Sequence, residues 1–227
     1  MGIMLKAVIF DLDGTVLDTL RDLHTATNLA LAQSDLPPRT IDEVRLFVGN
    51  GIRLLVERAV PAGTPETVVD RVFRDFNACY AQHCADETKP YRGIPVALRA
   101  LRNAGFGVAV VSNKSDYAVQ TLVKTYFPGL FHFALGFTDG MRKKPAPDMV
   151  LAALSHLGAT AEEAVYVGDS DVDIATAKAA GMPCISVTWG FRDRAFLRRH
   201  GASVFADDPR EMLRQVELLH GADPRDS

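Results

Sequence analysis

The sequence has few cysteines, little net charge and no long apolar segment. Cys79, Cys84 and Cys184 include no C-x-x-C pair of the kind that holds zinc. Their odd number is most simply explained by free thiols in a reducing compartment, so we expect a cytoplasmic protein. A formal net charge of −3 provides no basic surface for nucleic acid. The apolar runs, such as Phe106–Val111, are far shorter than the ~20 residues of a membrane span. We therefore expect neither nucleic acid nor a membrane as a partner.

Short apolar runs alternate with helical segments along most of the chain. The runs are rich in β-branched residues and show no polar alternation, which is typical of strands buried on both faces of a parallel sheet. They are Ala7–Phe10, Val108–Val111, Phe133–Leu135, Ala164–Val167, Cys184–Val187 and the weaker Ser203–Phe205. With helices as right-handed connections, this pattern predicts an α/β fold with a doubly wound, mostly parallel, Rossmann-like sheet.

The segment after the first strand contains helical patterns only. Four helices are predicted, at about 19–33, 41–48, 52–60 and 65–84. Thr40–Glu43 has the sequence of a capping box, and Thr64–Pro65 predicts an N-cap followed by proline at the first helical position. We expect an all-α cap domain at 19–87, inserted into a discontinuous α/β core domain of 1–18 and 88–227.

Polar clusters lie at the ends of the predicted strands, where ligands bind in parallel α/β sheets. They are Asp11–Thr15, Ser112–Lys114, Arg142–Asp148 and Gly168–Asp173. The aspartates at positions 11, 13, 169 and 173 would repel one another strongly unless a cation were bound among them. Because the donors are all oxygen, with no His or Cys nearby, they favour Mg²⁺.

A magnesium ion, a lysine, a serine and a strand-end aspartate are suited to phosphoryl transfer. Asp11 could attack phosphorus and form an aspartyl-phosphate, while Asp13 protonates the leaving group and then deprotonates the attacking water. Lys144 and Mg²⁺ would offset charge on the transferring oxygens, which Ser112 would help to hold.

Simpler structural roles remain open for several of these residues. Ser112 and Asn113 could cap the next helix, and Asp169 and Asp173 could be ordinary acids in the first turn of a helix. Lys143 competes with its neighbour Lys144 for the single lysine role. The spacing fits neither an EF-hand nor a P-loop, and neither a dinucleotide fingerprint nor a G-x-S-x-G elbow is present.

The four polar clusters contain motifs that resemble, in the same order, those of the haloacid dehalogenase-like hydrolase superfamily. They are Asp11–Thr15, Ser112–Asn113, Lys144–Pro145 and Gly168–Asp173. The helical insertion is similar to the type C1 cap of that superfamily.

The resemblance implies a role for each matching residue. Asp11 is the implied nucleophile and a Mg²⁺ ligand, and Asp13 the general acid/base that also binds the metal through its backbone carbonyl. Asp169 completes the implied metal site, while Asp173 supports Lys144 or a metal-bound water and is a further candidate ligand. The residues expected to bind phosphate or substrate are Thr15, Asn50, Gly51, Ser112, Asn113 and Lys144.

Within the superfamily, the sequence is most similar to bacterial phosphoglycolate phosphatases. The similarity extends to Val48–Gly51, Leu55–Ala59, Ser112–Lys114 and Val187–Gly190, whereas Phe191–Arg192 departs from the expected pattern. It implies hydrolysis of 2-phosphoglycolate to glycolate and phosphate by a monomer or homodimer whose partner is a small phosphorylated metabolite. The alternatives are another small phosphate or pyrophosphate as substrate, a sugar-phosphate mutase, and a phosphate-binding module without catalysis.

Overall fold

All six apolar runs form strands of one sheet in the computed structural model, which describes residues 4–221. The strands of the chain are β1 (Ala7–Phe10), β2 (Leu17–Asp18), β3 (Lys89–Pro90), β4 (Gly107–Ser115), β5 (Phe133–Phe137), β6 (Ala164–Gly168), β7 (Cys184–Val187) and β8 (Val204–Ala206). The large sheet has the order β5-β4-β1-β6-β7-β8, and each neighbouring pair is parallel. The predicted fold class is thereby confirmed.

Helices connect these strands and form the inserted segment. They are α1 (Leu20–Ala32), α2 (Ile41–Phe47), α3 (Ile52–Ala59), α4 (Glu66–His83), α5 (Ile94–Asn103), α6 (Asp116–Tyr126), α7 (Asp148–Leu157), α8 (Asp171–Ala180), α9 (Arg194–Arg199) and α10 (Pro209–Gly221). A 3₁₀ turn at Ala161–Glu163 precedes β6. In the described part of the chain, 4–221, no helix combines the length and apolar character needed to cross a bilayer.

The chain divides into two compact units. One comprises the residues through Leu17 and those from Pro90 onward, and the other is Asp18–Lys89. The second unit contains α1 to α4 around fully buried side chains that include Leu23, Leu31 and Phe76. Its two ends are joined by the Asp22 carboxylate, which accepts hydrogen bonds from the backbone N–H groups of Glu87 and Thr88 at 2.9–3.1 Å.

Of the two N-caps predicted for helices of the second unit, the structure contains the one at α2 and lacks the one at α4. Thr40 and Glu43 form the reciprocal hydrogen bonds of a capping box at the start of α2, as predicted. The prediction that Thr64 caps α4 is wrong, because Pro65 occupies the N-cap position and the Thr64 hydroxyl donates to the carbonyl of Pro61 instead.

The strands differ most from the sequence prediction in two regions, while the ends of other strands shift by one or two residues. β2 and β3, each two residues long, were not predicted, since so short a pair has no periodicity to detect. β4 extends four residues beyond its predicted end at Val111, through a polar stretch that resembles a turn in sequence. The extension places the polar residues 112–115 at the carboxyl end of β4.

Candidate active site

Three of the four polar clusters lie at the carboxyl ends of the adjacent strands β4, β1 and β6, and the fourth, Arg142–Asp148, lies where the chain passes from β5 to α7. β1 is at the centre, between β4 and β6, and the chain reverses its direction of progress across the sheet at this strand. Such a reversal leaves a crevice at the strand ends where α/β proteins bind ligands. Asp11 directly follows β1, and its backbone N–H donates to the carbonyl of Val167 at the end of β6.

Three of the predicted aspartates form a tight, buried group at this edge. One carboxylate oxygen from each of Asp11, Asp169 and Asp173 lies within 4.8 Å of the others, a spacing that could hold a metal ion. All three side chains are buried. Carboxylates this close in a dry environment need a cation, and this supports the sequence argument for a metal at this edge.

Lys144 supplies one positive charge to the group. Its buried ammonium contacts Asp11 Oδ1 at 2.7 Å, Asp173 Oδ1 at 2.8 Å and the Tyr166 hydroxyl at 3.0 Å. The Tyr166 hydroxyl in turn donates to Asp173 Oδ1 at 3.1 Å. Lys143, the competing lysine, instead places its ammonium 4.5 Å from the centroid of the Phe137 ring. The structure thus brings Lys144, and not Lys143, to the aspartates.

The protonation tendencies of this group reflect burial and an excess of negative charge. Burial, followed by the nearby Asp173 carboxylate, raises the pKa of Asp11 well above its ordinary value despite the attraction of Lys144. Burial and Asp173 likewise raise the pKa of Asp169 to about 7. For Lys144, burial lowers the pKa, but the Asp11 and Asp173 carboxylates outweigh it and raise the pKa well above the usual range. The lysine therefore stays charged, and its single positive charge does not balance the negative charge of three ionised carboxylates.

Asp173 is fully engaged by hydrogen bonds. Besides Lys144 and Tyr166 on Oδ1, its Oδ2 accepts from the backbone N–H of Ser170 at 3.1 Å and from the Ser170 hydroxyl at 2.6 Å. Ser170 is the N-cap of α8, so this carboxylate also closes a capping box. These contacts favour the supporting role for Asp173 over direct metal ligation.

The polar extension of β4 is an irregular stretch of strand. Pairing with β5 advances from Val111 to Ser115 on β4 but only from Leu135 to Phe137 on β5, so β4 contains extra residues there. Such an irregularity redirects side chains that would otherwise alternate between the two faces. Here the three consecutive polar residues 112–114 are all buried.

Ser112 and Asn113 do not cap the following helix. The N-cap of α6 is Ser115, so the capping alternative is wrong. The Asn113 side chain instead holds the backbone of Lys144: its Oδ1 accepts from the Lys144 N–H at 2.7 Å, and its Nδ2 donates to the Lys144 carbonyl at 3.0 Å. The Ser112 hydroxyl accepts from the backbone N–H of Lys114 at 3.2 Å.

A loop after β7 contacts the Asp169 carboxylate and the first motif; the sequence resemblance included Val187–Gly190 but did not predict these contacts. The backbone N–H of Phe191 donates to Asp169 Oδ2 at 2.6 Å, and the Thr15 hydroxyl donates to Oδ1 at 3.2 Å. The Trp189 indole N–H donates to the Thr15 carbonyl at 3.0 Å. The family similarity at Val187–Gly190 marked this loop, but no motif in it indicated a contact with Thr15 or Asp169.

Two glycines allow this loop and the first motif to approach each other. Gly14 has φ +82°, and a Cβ there would lie 2.3 Å from Asp169 Oδ2. A Cβ on Gly190 would lie 2.3 Å from the Gly14 carbonyl oxygen and 2.4 Å from Asp169 Cβ. A side chain at either position would force the Asp169 side chain or the adjoining backbone to shift.

The remaining predicted site residues divide between the two units. Asp13 belongs to the first unit, and its Oδ1 lies 3.2 Å from the ammonium of Lys114. Asn50 and Gly51 belong to the second unit, between α2 and α3, where Gly51 is the N-cap of α3 with φ 90°.

Comparison with known proteins identifies the family to which this arrangement belongs. The family model described as haloacid dehalogenase-like hydrolase matches residues 8–187, which include all four motifs. The chain belongs to the haloacid dehalogenase-like hydrolase family. It is therefore an enzyme of this hydrolase family, and the predictions of the family and of an enzyme are confirmed.

Similar members of the haloacid dehalogenase-like hydrolase family are named as phosphatases. The chain is 33% identical to phosphoglycolate phosphatase of Pseudomonas putida, over 93% of this chain and 80% of that protein. It is 35% identical to phosphoglycolate phosphatase of Aquifex aeolicus, over 82% of this chain and 86% of that one. A crystal structure from Lactobacillus delbrueckii subsp. bulgaricus, of a protein assigned as a phosphoglycolate phosphatase, superimposes with a TM-score of 0.89 at 39% identity. That match covers 95% of this chain and 99% of that one.

Proposed function

We propose that the protein is a Mg²⁺-dependent phosphomonoester hydrolase that works through an aspartyl-phosphate on Asp11. The observation that carries the proposal is the group of three buried carboxylates with one lysine in contact. Asp11 belongs to that group and directly follows β1, where an attacking carboxylate would meet a phosphate bound at the strand ends.

The residues fit Mg²⁺ by their chemistry and their charge. The donors are carboxylate and carbonyl oxygens, which this ion prefers. Burial, followed by the nearby Asp173 carboxylate, raises the pKa of Asp169 to about 7, so a bound cation would stabilise its charged form. Asp11 and Asp169 would hold the ion through their side chains and Asp13 through its carbonyl. When bound, the ion would offset charge on the transferring phosphoryl oxygens.

Each side chain of the site has a separate role in the proposed reaction. Asp11 attacks phosphorus, Asp13 gives a proton to the leaving oxygen, and Asp13 then takes a proton from the water that releases phosphate. Lys144 keeps Asp11 oriented and adds positive charge near the phosphate, while Ser112 binds the phosphate oxygens. Asp173 and Asn113 hold the side chain and the backbone of Lys144 in place.

The proposed substrate is 2-phosphoglycolate, with glycolate and phosphate as products. The names of the relatives from Pseudomonas putida and Aquifex aeolicus support this choice, together with the family match over residues 8–187. On this proposal the protein acts on a small phosphorylated metabolite and needs neither nucleic acid nor a membrane as a partner.

The experiment is a comparison of phosphate release from 2-phosphoglycolate, a hexose phosphate, pyrophosphate and p-nitrophenyl phosphate. With Mg²⁺ present, we expect kcat/KM for 2-phosphoglycolate to exceed that of the others by at least ~10-fold. EDTA should abolish the activity and added Mg²⁺ should restore it, because the carboxylate group needs a cation.

Each alternative gives a different result in this comparison. A preference for another phosphoester would keep the mechanism but reject the substrate. Conversion of a hexose phosphate that needs a bisphosphate activator and releases little phosphate would indicate a mutase. Turnover that persists in EDTA would contradict the metal dependence, and no turnover of any compound would indicate a binding module.

A further inference from the structure

Lys114 is a second buried lysine at the active-site edge, and the roles assigned above do not use it. Its side chain is only 2% exposed, and its ammonium lies 3.2 Å from Oδ1 of Asp13, whose side chain is 15% exposed. Lysine is rarely buried to this degree unless it is paired, because desolvating the ammonium is costly. The pairing with Asp13 offsets part of this cost.

Contacts of the backbone N–H and carbonyl hold the main chain of Lys114 in place. Lys114 lies in the irregular part of β4, and its N–H donates to the Ser112 hydroxyl at 3.2 Å. Gly136 of β5 packs against it so closely that a Cβ there would lie 2.7 Å from the Lys114 carbonyl oxygen. The lysine is thus held by the same strand segment that presents Ser112 and Asn113.

The two buried lysines contact different aspartates. Lys144 contacts Asp11 and Asp173, whereas Lys114 contacts Asp13. The proposed nucleophile and the proposed general acid/base therefore each have a lysine of their own.

We infer that Lys114 is the positioning residue for Asp13, holding its carboxylate by Oδ1 so that Oδ2 faces the reacting oxygen. The inference rests on the proposed function. As the ester P–O bond breaks and the bond from Asp11 to phosphorus forms, Oδ2 of Asp13 gives its proton to the leaving oxygen. As water attacks phosphorus and the Asp11–phosphorus bond breaks, the same oxygen takes a proton from that water. Lys114 takes part in neither transfer and orients the group that does.

The test is Lys114→Met measured with two leaving groups. Glycolate is a poor leaving group that needs a proton, whereas p-nitrophenolate leaves without one. We expect kcat for 2-phosphoglycolate to fall by ~10²-fold, toward the lower end of what general acid–base catalysis contributes, with KM nearly unchanged. The rate of the first-turnover release of p-nitrophenolate should change little, because that step needs no acid, while steady-state turnover of the same compound falls.

A double-mutant cycle with Asp13→Asn separates positioning from other roles. If Lys114 acts through Asp13, adding Lys114→Met to Asp13→Asn should change the remaining rate by less than ~2-fold. Lys114→Arg, which keeps the charge, should recover part of the lost kcat. If Lys114→Met does not give a cooperative thermal transition, Lys114→Gln takes its place in the same cycle.

Three outcomes would overturn the inference. One is a full, additive loss in the double variant, and another is a raised KM at unchanged kcat, which would indicate substrate binding by Lys114. The third is an equal loss of first-turnover rate for both leaving groups. Failure of the proposed function is recognised separately, because wild-type enzyme would then release no phosphate or Asp11→Asn would remain active.

Discussion

At the scale of single residues, Lys144 is the side chain on which the geometry of the site most depends. Three oxygens hold its ammonium, and Asn113 holds its backbone N–H and carbonyl. Its place before a proline allowed the sequence to favour it over Lys143. Tyr166 could not be predicted as part of the site, because in the sequence it is simply one residue of an apolar strand, Ala164–Gly168.

Replacing the two neighbouring lysines provides a matched comparison. Lys144→Met should lower kcat by at least ~10²-fold, because it removes a charge that faces the transferring phosphoryl group. It should also lower the free energy of unfolding by about 3–5 kcal/mol in EDTA, because it leaves buried carboxylates without their partner. Lys143→Met removes only a contact with the Phe137 ring and should cost about 0.5–1 kcal/mol with kcat unchanged.

Phosphate release and thermal unfolding of both variants check this prediction. A larger loss of kcat in Lys143→Met than in Lys144→Met would show that the wrong lysine has been assigned to the site.

At the scale of elements, loops and strand ends bring the functional groups together. The strand cores were predictable, since runs such as Ala7–Phe10 are apolar throughout and fully buried. The irregular end of β4 was not, because Ser112–Lys114 has the composition of a turn and its strand pairing depends on β5. The contacts of the loop after β7 were not predictable either. They come from the Trp189 indole N–H and the Phe191 backbone N–H, and hydrophobic periodicity predicts neither.

Gly190→Ala tests the contribution of this loop. The added Cβ would lie 2.3–2.4 Å from the Gly14 carbonyl and from Asp169, so the loop or the carboxylate must move. We expect a loss of about 1–3 kcal/mol in the free energy of unfolding, typical of overpacking, and weaker Mg²⁺ binding. Gly221→Ala, at the end of α10 with no atom within 4 Å of the added Cβ, is the control and should change neither.

Thermal unfolding with and without Mg²⁺ measures both effects. If Gly190→Ala kept the wild-type unfolding midpoint and the wild-type Mg²⁺ response, the loop would not be supporting Asp169.

At the scale of the whole molecule, the order of the motifs along the chain made the family predictable. The motifs lie at or beyond the carboxyl ends of parallel strands, which meet at one edge of a sheet, so Asp11, Lys144 and Asp169 could be grouped from the sequence alone. The choice of substrate could not be reached in the same way. Asn50 and Gly51 lie in the other unit, Asp18–Lys89. The spacing of residues in that unit does not indicate which small phosphorylated compound would be preferred.

The central claim is that Asp11 becomes phosphorylated during turnover, and a rapid acid quench tests it most directly. The enzyme is mixed with ³²P-labelled substrate and Mg²⁺, quenched during turnover and digested. We predict a label that is stable in acid and lost in alkali on the peptide containing Asp11, and no label with Asp11→Asn. Label on a different residue, or rapid turnover by an Asp11→Asn enzyme, would contradict the account.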